Sequence, residues 1–326
     1  MIDSSLFKQT PSLAPMASSL AVAASHDVTV LVTGETGTGK TFLARLIHDL
    51  SSRKQHPFVV VPCGALTRSL VESELFGHVR GAFTGADRVK VGRLEAAAAG
   101  TVLLDEIDTL GLDQQAKLLR VIETGEFEPV GSNDTLHCRA RFIAASNRDL
   151  EEAVEQRTFR QDLYYRLNVL SLHLPPLCKR VRDIMPLVNA MVGRFSQKFA
   201  KTVTTVHPQT IALLTRFPWP GNIRQLENAI QYAVLYCSGR ELLPVHLPAH
   251  VRTHVADPHT LPEVVGDSLR HKTGANEREY IKRVLHSCGY SRTRTAKALG
   301  VSRVTMYNKL KKYGLEDIHL SMAAAS

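Results

Sequence analysis

Two groups of residues have the types and spacing of a phosphate-transfer site. Gly34-Glu35-Thr36-Gly37-Thr38-Gly39-Lys40-Thr41 fits the pattern GxxxxGK[ST], directly after an apolar run and before a stretch of helical periodicity. Glycines there let backbone N–H groups wrap phosphate oxygens, and the helix N-terminus that follows adds a favourable dipole. Lys40 can reach the outer phosphates, and the Thr41 hydroxyl can bind Mg²⁺. About 65 residues on, Thr101-Val102-Leu103-Leu104 runs into Asp105-Glu106, so two carboxylates emerge at the end of a buried strand. Asp105 can complete a magnesium shell and Glu106 can polarise an attacking water. N-cap acids of a following helix are the plainer reading of that pair. Their place behind a phosphate loop favours catalysis, and the chain reads as an NTPase.

These groups have to be held by a parallel α/β sheet, because short β-branched runs alternate with helical segments. The strand candidates are Val28–Thr33, Phe58–Val61, Thr101–Leu104, Arg141–Ala145 and Val169–Leu174. Phe127–Val130 and Thr135–Ala140 flank Gly131-Ser132-Asn133-Asp134 as an inserted hairpin. Leu13–Ala24 reads as a short leading helix. After Pro175-Pro176 the strand signals stop, and Asp183–Ser238 reads as helices broken at Trp219-Pro220-Gly221. The expected organisation is an α/β subdomain over 1–175, an all-α lid over 176–250, a linker over 251–275, an all-α helix-turn-helix domain over 276–316, and a tail over 317–326.

Hydrophobic residues make up 44% of the 326 and charged residues 22%, the balance of a globular chain rather than a disordered one. No apolar run is long enough to span a bilayer. Five scattered cysteines without a CxxC pair argue against a disulfide framework or a zinc site and fit a reducing cytoplasm. The net charge of +9 is unevenly placed. Residues 270–317 hold 12 Lys/Arg against 4 Asp/Glu, leaving 28 against 27 for the rest. That concentration points to a nucleic-acid-binding end on a nearly neutral body.

Within that end, Glu277–Cys288, Thr293–Leu299 and Ser302–Tyr313 read as three helices, with Gly300-Val301 as the short turn of a helix-turn-helix. Arg303, Thr305, Asn308, Lys309 and Lys312 lie on or near the face left free by the apolar seam, suited to bases and phosphates of double-stranded DNA. A solvated basic helix is the alternative. Elsewhere, Gly81-Ala82-Phe83-Thr84-Gly85-Ala86 forms a Gly-bounded loop between the phosphate loop and the paired acids, too short to bury its own Phe83.

Taken together, GETGTGKT at 34–41, ESELFGH at 72–78, GAFTGA at 81–86, LLDEID at 103–108, FRQDLYYRLNV at 159–169, LPPL at 174–177 and WPGNIRQLEN at 219–228 resemble the sigma-54-dependent transcriptional activators. The likeness runs from about residue 5 to 315. It implies an AAA+ P-loop NTPase core and a Fis-type helix-turn-helix, with ATP and Mg²⁺ as cofactors. In the cytoplasm the protein would form a hexameric ring and pair as a dimer on an upstream DNA site. It also implies site roles. Asn147 would sense the γ-phosphate, Arg160 and Arg166 would be arginine fingers reaching a neighbouring subunit's nucleotide, and Arg224 would be a second sensor on the lid. Gly81, Ala82, Phe83, Thr84, Gly85 and Ala86 would contact sigma-54 on RNA polymerase and remodel closed complexes into open ones. Interface or ion-pair arginines, and a lid-to-core salt bridge at Arg224, are the plainer readings.

One departure stands out. The family has an asparagine at the end of the second strand that holds the catalytic glutamate until release, and here Pro62 occupies that place, with neither an amide side chain nor an N–H. About 27 residues precede the first strand, too few for a sensory domain, so control is expected from a separate regulatory protein, expression level or nucleotide supply. A DNA-binding repressor or scaffold of the same fold, and a generic AAA+ remodeller, are the rival readings.

Overall fold

The computed structural model describes residues 10–65 and 68–253, together with Leu310 and Tyr313. The expected helix-turn-helix domain, most of the linker, and Arg303, Thr305, Asn308, Lys309 and Lys312 lie outside the described residues.

A 3₁₀ turn (Pro11–Met16) leads into α1 (Ala17–Ser25), β1 (Val30–Thr33), α2 (Lys40–Asp49) and β2 (Phe58–Pro62). Then come α3 (Arg68–Phe76), α4 (Arg93–Ala96), β3 (Thr101–Asp105), α5 (Leu112–Thr124), β4 (Arg141–Ser146), α6 (Leu150–Glu155), α7 (Gln161–Leu167) and β5 (Leu170–His173). The five strands form one parallel sheet in the order β2-β3-β4-β1-β5. The chain thus leaves β1 for the far edge and returns, which opens a crevice at the carboxyl ends of the strands. Both faces are covered. One carries Leu75, Leu94, Leu118 and Leu163 against Val102, Leu104 and Ala144. The other carries Leu20, Leu43 and Ile47 against Val30, Val32, Leu103 and Ile143. Central strands buried on both faces have to be nearly all apolar, as β3 and β4 are.

All five expected strands are in the sheet, with shifted ends that have local causes. β1 starts at Val30 because the carbonyl of Val28 is taken by Arg141 Nε at 3.0 Å. β2 extends onto Pro62, opposite Asp105, which an edge strand tolerates because no outer neighbour needs the missing N–H. The inserted hairpin is shorter than its sequence suggests. Only Glu126–Phe127 and Leu136–His137 pair, while Val130 accepts from Val79 N at 3.1 Å and donates to Gly77 O at 2.9 Å. The hairpin is thereby stitched to the stem of the GAFTGA loop.

The lid follows as α8 (Val181–Lys198), α9 (Pro208–Arg216), α10 (Asn222–Tyr236) and α11 (Ala249–Arg252). Trp219, 1% exposed, fills the break between α9 and α10 and donates its indole N–H to Leu214 O at 2.7 Å. A two-residue parallel pair, Thr205–Val206 with Glu241–Leu242, lies within this helical unit and has no clear signal in the sequence.

Candidate functional site

The phosphate loop leaves β1 through Gly34, Gly37 and Gly39, all at positive φ (145°, 81° and 102°). At Gly37 a side chain is excluded twice over, since a Cβ would also stand 2.5 Å from Gly221 O on the lid. Lys40 opens α2 almost fully buried, its ammonium donating to Gly34 O (2.7 Å) and Glu35 O (3.0 Å) inside the loop. Burial pulls its pKa below the ordinary lysine value, opposed by the nearby carboxylates of Asp105, Asp108 and Glu106. A cation held in reserve by loop carbonyls is placed to exchange them for phosphate oxygens.

The sheet brings the distant acids to this loop. Thr41 Oγ1 donates to Asp105 Oδ2 at 3.1 Å, so a hydroxyl and a carboxylate converge. These are hard oxygen ligands of the kind Mg²⁺ takes in nucleotide sites, and the pair fits that ion. Glu106 follows at φ 55°, a left-handed conformation unusual for a residue with a side chain. Asp108 is fixed beside it by Ser146 Oγ (3.0 Å) and an ion pair with Arg148 at 3.6 Å. At the end of β4, Asn147 Nδ2 donates to Thr36 Oγ1 at 3.2 Å and so reaches the same loop.

Lys40, Thr41, Asp105, Glu106 and Arg224 share one cleft of about 280 Å³. Arg224 enters it from α10, so the lid closes over the phosphate site. Arg160 and Arg166 do not line this cleft. Arg160 sits at the N-terminus of α7, its backbone N–H held by Gln115 Oε1 (2.8 Å) and its guanidinium bidentate on Asp162 (3.0 and 2.7 Å). Hydrogen bonding to Asp162 raises the Arg160 pKa and lowers that of Asp162. Arg166 is exposed near the other end of α7, with no hydrogen bond among the described residues.

Two features of the site have no role assigned by the sequence, the first lying within the 219–228 motif. One is Asn222, fully buried at φ 52°, whose amide donates to Glu35 Oε2 (3.0 Å) and Thr36 O (3.0 Å) and accepts from Leu177 N (2.7 Å). It pins the lid to the phosphate loop. The other is a mainly apolar cavity of about 440 Å³ beside the cleft, walled by Leu13, Phe42, Leu43, Leu174, Met191 and Ile223. Its floor is braced by Arg180, which donates to Thr38 O (3.2 Å) and forms a buried pair with Asp183 (2.7 Å). Asp183 also accepts from Ser12 N at 2.8 Å, tying the leading turn to the lid.

The GAFTGA segment forms a closed turn at the end of α3, with Gly81 N donating to Ala86 O (2.9 Å) and Ala86 N to Phe83 O (3.0 Å). Gly81 and Gly85 are both at positive φ with open space around them. Phe83 is 39% exposed and rests edge-on against His78, ring centroids 4.9 Å apart. Thr84 is exposed at the tip. The tip thus keeps its aromatic partly covered by a residue of its own stem, and His78 is in turn held by Ser73 Oγ at 2.7 Å.

Three family models match the chain: a sigma-54 interaction domain over residues 6–173, an AAA+ ATPase lid domain over 179–263, and the Fis family of bacterial regulatory proteins over 275–313. The chain is 42% identical to the regulatory protein AtoC of Escherichia coli K12, over 95% of this chain and 68% of that protein. It is 41% identical to the formate hydrogenlyase transcriptional activator FhlA of the same organism, over 90% of this chain and 42% of that protein. Among solved structures, NtrX from Brucella abortus in complex with ADP superposes with a TM-score of 0.68 at 30% identity, covering 94% of this chain and 69% of that one. The same protein in complex with ATP gives the same score.

Proposed function

We propose, for a chain that belongs to the sigma-54-dependent transcriptional activators, that ATP hydrolysis in the cleft under α10 drives the 81–86 turn against sigma-54 and opens the promoter complex. The observation that carries this is the physical continuity of the parts. The cleft lies at the ends of β1 and β3, and the turn follows α3, which comes after the edge strand β2 beside β3.

Lys40 and the loop N–H groups hold the triphosphate, and the apolar cavity beside Phe42 and Ile223 takes the base. Thr41 and Asp105 would hold Mg²⁺, which when bound neutralises phosphate charge. Glu106 orients the attacking water and accepts its proton as ADP and inorganic phosphate form. Asn147 hydrogen-bonds the terminal phosphate or its water, and Arg224 carries the nucleotide state into the lid. Arg160 and Arg166 complete the site of the next subunit in a ring, a hexamer by family precedent. Their planar guanidinium groups stabilise charge that develops during transfer. Residues 1–175 and 176–250 form this motor. After a linker at 251–275, residues 276–316 bind upstream DNA as a dimer through Arg303, Thr305, Asn308, Lys309 and Lys312. The protein works in the cytoplasm, and a separate regulatory protein supplies the signal.

Thr84→Ala separates motor from contact. It is expected to keep ATPase activity within about twofold, as an exposed substitution should, while abolishing open-complex formation. Equal loss of both activities would remove the contact role from the turn.

A further inference from the structure

Glu106 needs a resting place, and the residue the family uses to hold it is absent. Pro62 ends β2 opposite Asp105, exposed and without an amide. Directly after it the chain makes a 3₁₀ turn, Cys63–Ala65, with Gly64 at its centre. The three atoms nearest to a Cβ built on Gly64 all belong to the Glu106 side chain: it would overlap Oε2 and stand 3.1 Å from Cδ and 3.3 Å from Cβ. The backbone at Gly64 is not in the left-handed region, so conformation does not demand glycine there. What a Cβ would displace is the Glu106 carboxylate, the far end of a flexible side chain.

The direction of that contact is set by the sheet. The phosphate loop follows β1, two places from β3 on the side of β4, whereas Gly64 follows β2 on the opposite side. A Glu106 carboxylate resting on Gly64 therefore leans toward the sheet edge, away from the loop that holds the triphosphate. Among the described residues nothing hydrogen-bonds this carboxylate, although the residue still borders the cleft.

We propose that Gly64 is the positioning residue for Glu106: its missing side chain leaves a berth in which the carboxylate is parked between turnovers, replacing the amide that Pro62 cannot supply. The berth holds by shape alone, so it releases Glu106 more readily than a hydrogen bond would. This rests on Glu106 being the hydrolytic carboxylate, as proposed above.

The test measures steady-state ATP hydrolysis by the full chain, with folding checked by circular dichroism. Gly64→Ala fills the berth and is expected to raise kcat about threefold or more, with KM for ATP little changed, because fewer subunits hold Glu106 aside. Pro62→Asn supplies a donor beside the berth and is expected to lower kcat by a similar factor, again with little change in KM. A residue with a purely structural role would not move kcat in opposite directions at constant KM. A folded Gly64→Ala with kcat unchanged or reduced overturns the proposal. If that variant does not fold, Pro62→Asn decides alone, and an unchanged or raised kcat overturns it. Glu106→Gln separates the two levels: if it still hydrolyses ATP, the reading of Glu106 itself fails and the berth with it. If it is inactive while both berth variants behave as wild type, only the berth fails.

Discussion

Replacing Asn222 with glycine removes one amide and leaves the backbone undisturbed, because glycine adopts the native φ of 52° at no steric cost. The lost amide served three groups. Leu177 N is buried and donated at 2.7 Å, so it is left without its acceptor, at about 1–3 kcal/mol. Thr36 O and Glu35 Oε2 lie at a part-exposed edge where water can replace the amide, at roughly 0.5 kcal/mol each. Glycine in the unfolded chain adds about 0.5–1 kcal/mol. The sum is about 2.5–5 kcal/mol, which for a unit of this size lowers Tm by roughly 5–20 °C. The functional effect is separate. Two of the three bonds pre-order the phosphate loop from the lid, and releasing the roughly 1 kcal/mol they hold raises KM for ATP about fivefold. Differential scanning calorimetry and nucleotide titrations of ATPase rate read the two effects. A Tm within about 2 °C of wild type, or a KM unchanged beside a lowered Tm, would refute the claim that the lid holds the loop through this amide.

The stem of the 81–86 turn gives a pH-dependent outcome. Lys90 (2.5 Å) and then Arg93 (3.0 Å) hydrogen-bond Glu74, holding its carboxyl below the ordinary glutamate value despite partial burial. Stabilisation from a depressed carboxylate is present above its unfolded pKa and lost as pH falls through the folded one. Amide exchange across residues 77–91, corrected for intrinsic rates, should therefore accelerate in acid. Glu74→Gln should produce that acceleration, about two- to fivefold, already at neutral pH, and a variant as protected as wild type at pH 7 would dismiss the tie. For the fingers, Arg160→Ala and Glu106→Ala subunits, each inactive alone, should regain hydrolysis when mixed, because an intact Arg160 then faces an intact Glu106 across some interfaces. No recovery at any ratio would place Arg160 in its own subunit's chemistry or in none.

The parts of the site legible in the sequence are those where chemistry and chain contiguity coincide. The phosphate loop is a local run whose glycines are each demanded by a left-handed φ, and Asp105-Glu106 is a local break in an apolar strand. What stayed hidden is assembled from distant segments. Asn222 reaches Glu35 across 187 positions, and the cavity beside the cleft takes its walls from the leading turn, α2 and the lid. An apolar residue signals burial, not the ligand it faces. Phe83 shows the same limit, since a loop too short to bury an aromatic can still lean it on His78, a residue of its own stem. Gly64 carries no sign in the sequence at all, because its role is the space taken by a side chain 42 positions away. Element ends moved for equally specific reasons, as where Arg141 claims the Val28 carbonyl before β1 can use it.

The central claim is that this motor acts on polymerase carrying sigma-54. Purified chain, a promoter template with its upstream site, and polymerase loaded with either sigma-54 or a primary sigma factor put it to a direct measurement, with permanganate footprinting of promoter melting as the readout. The account predicts melting only with sigma-54, and only when hydrolysable ATP is present. Melting by the primary-sigma polymerase alone, or equal melting without ATP hydrolysis, would contradict it.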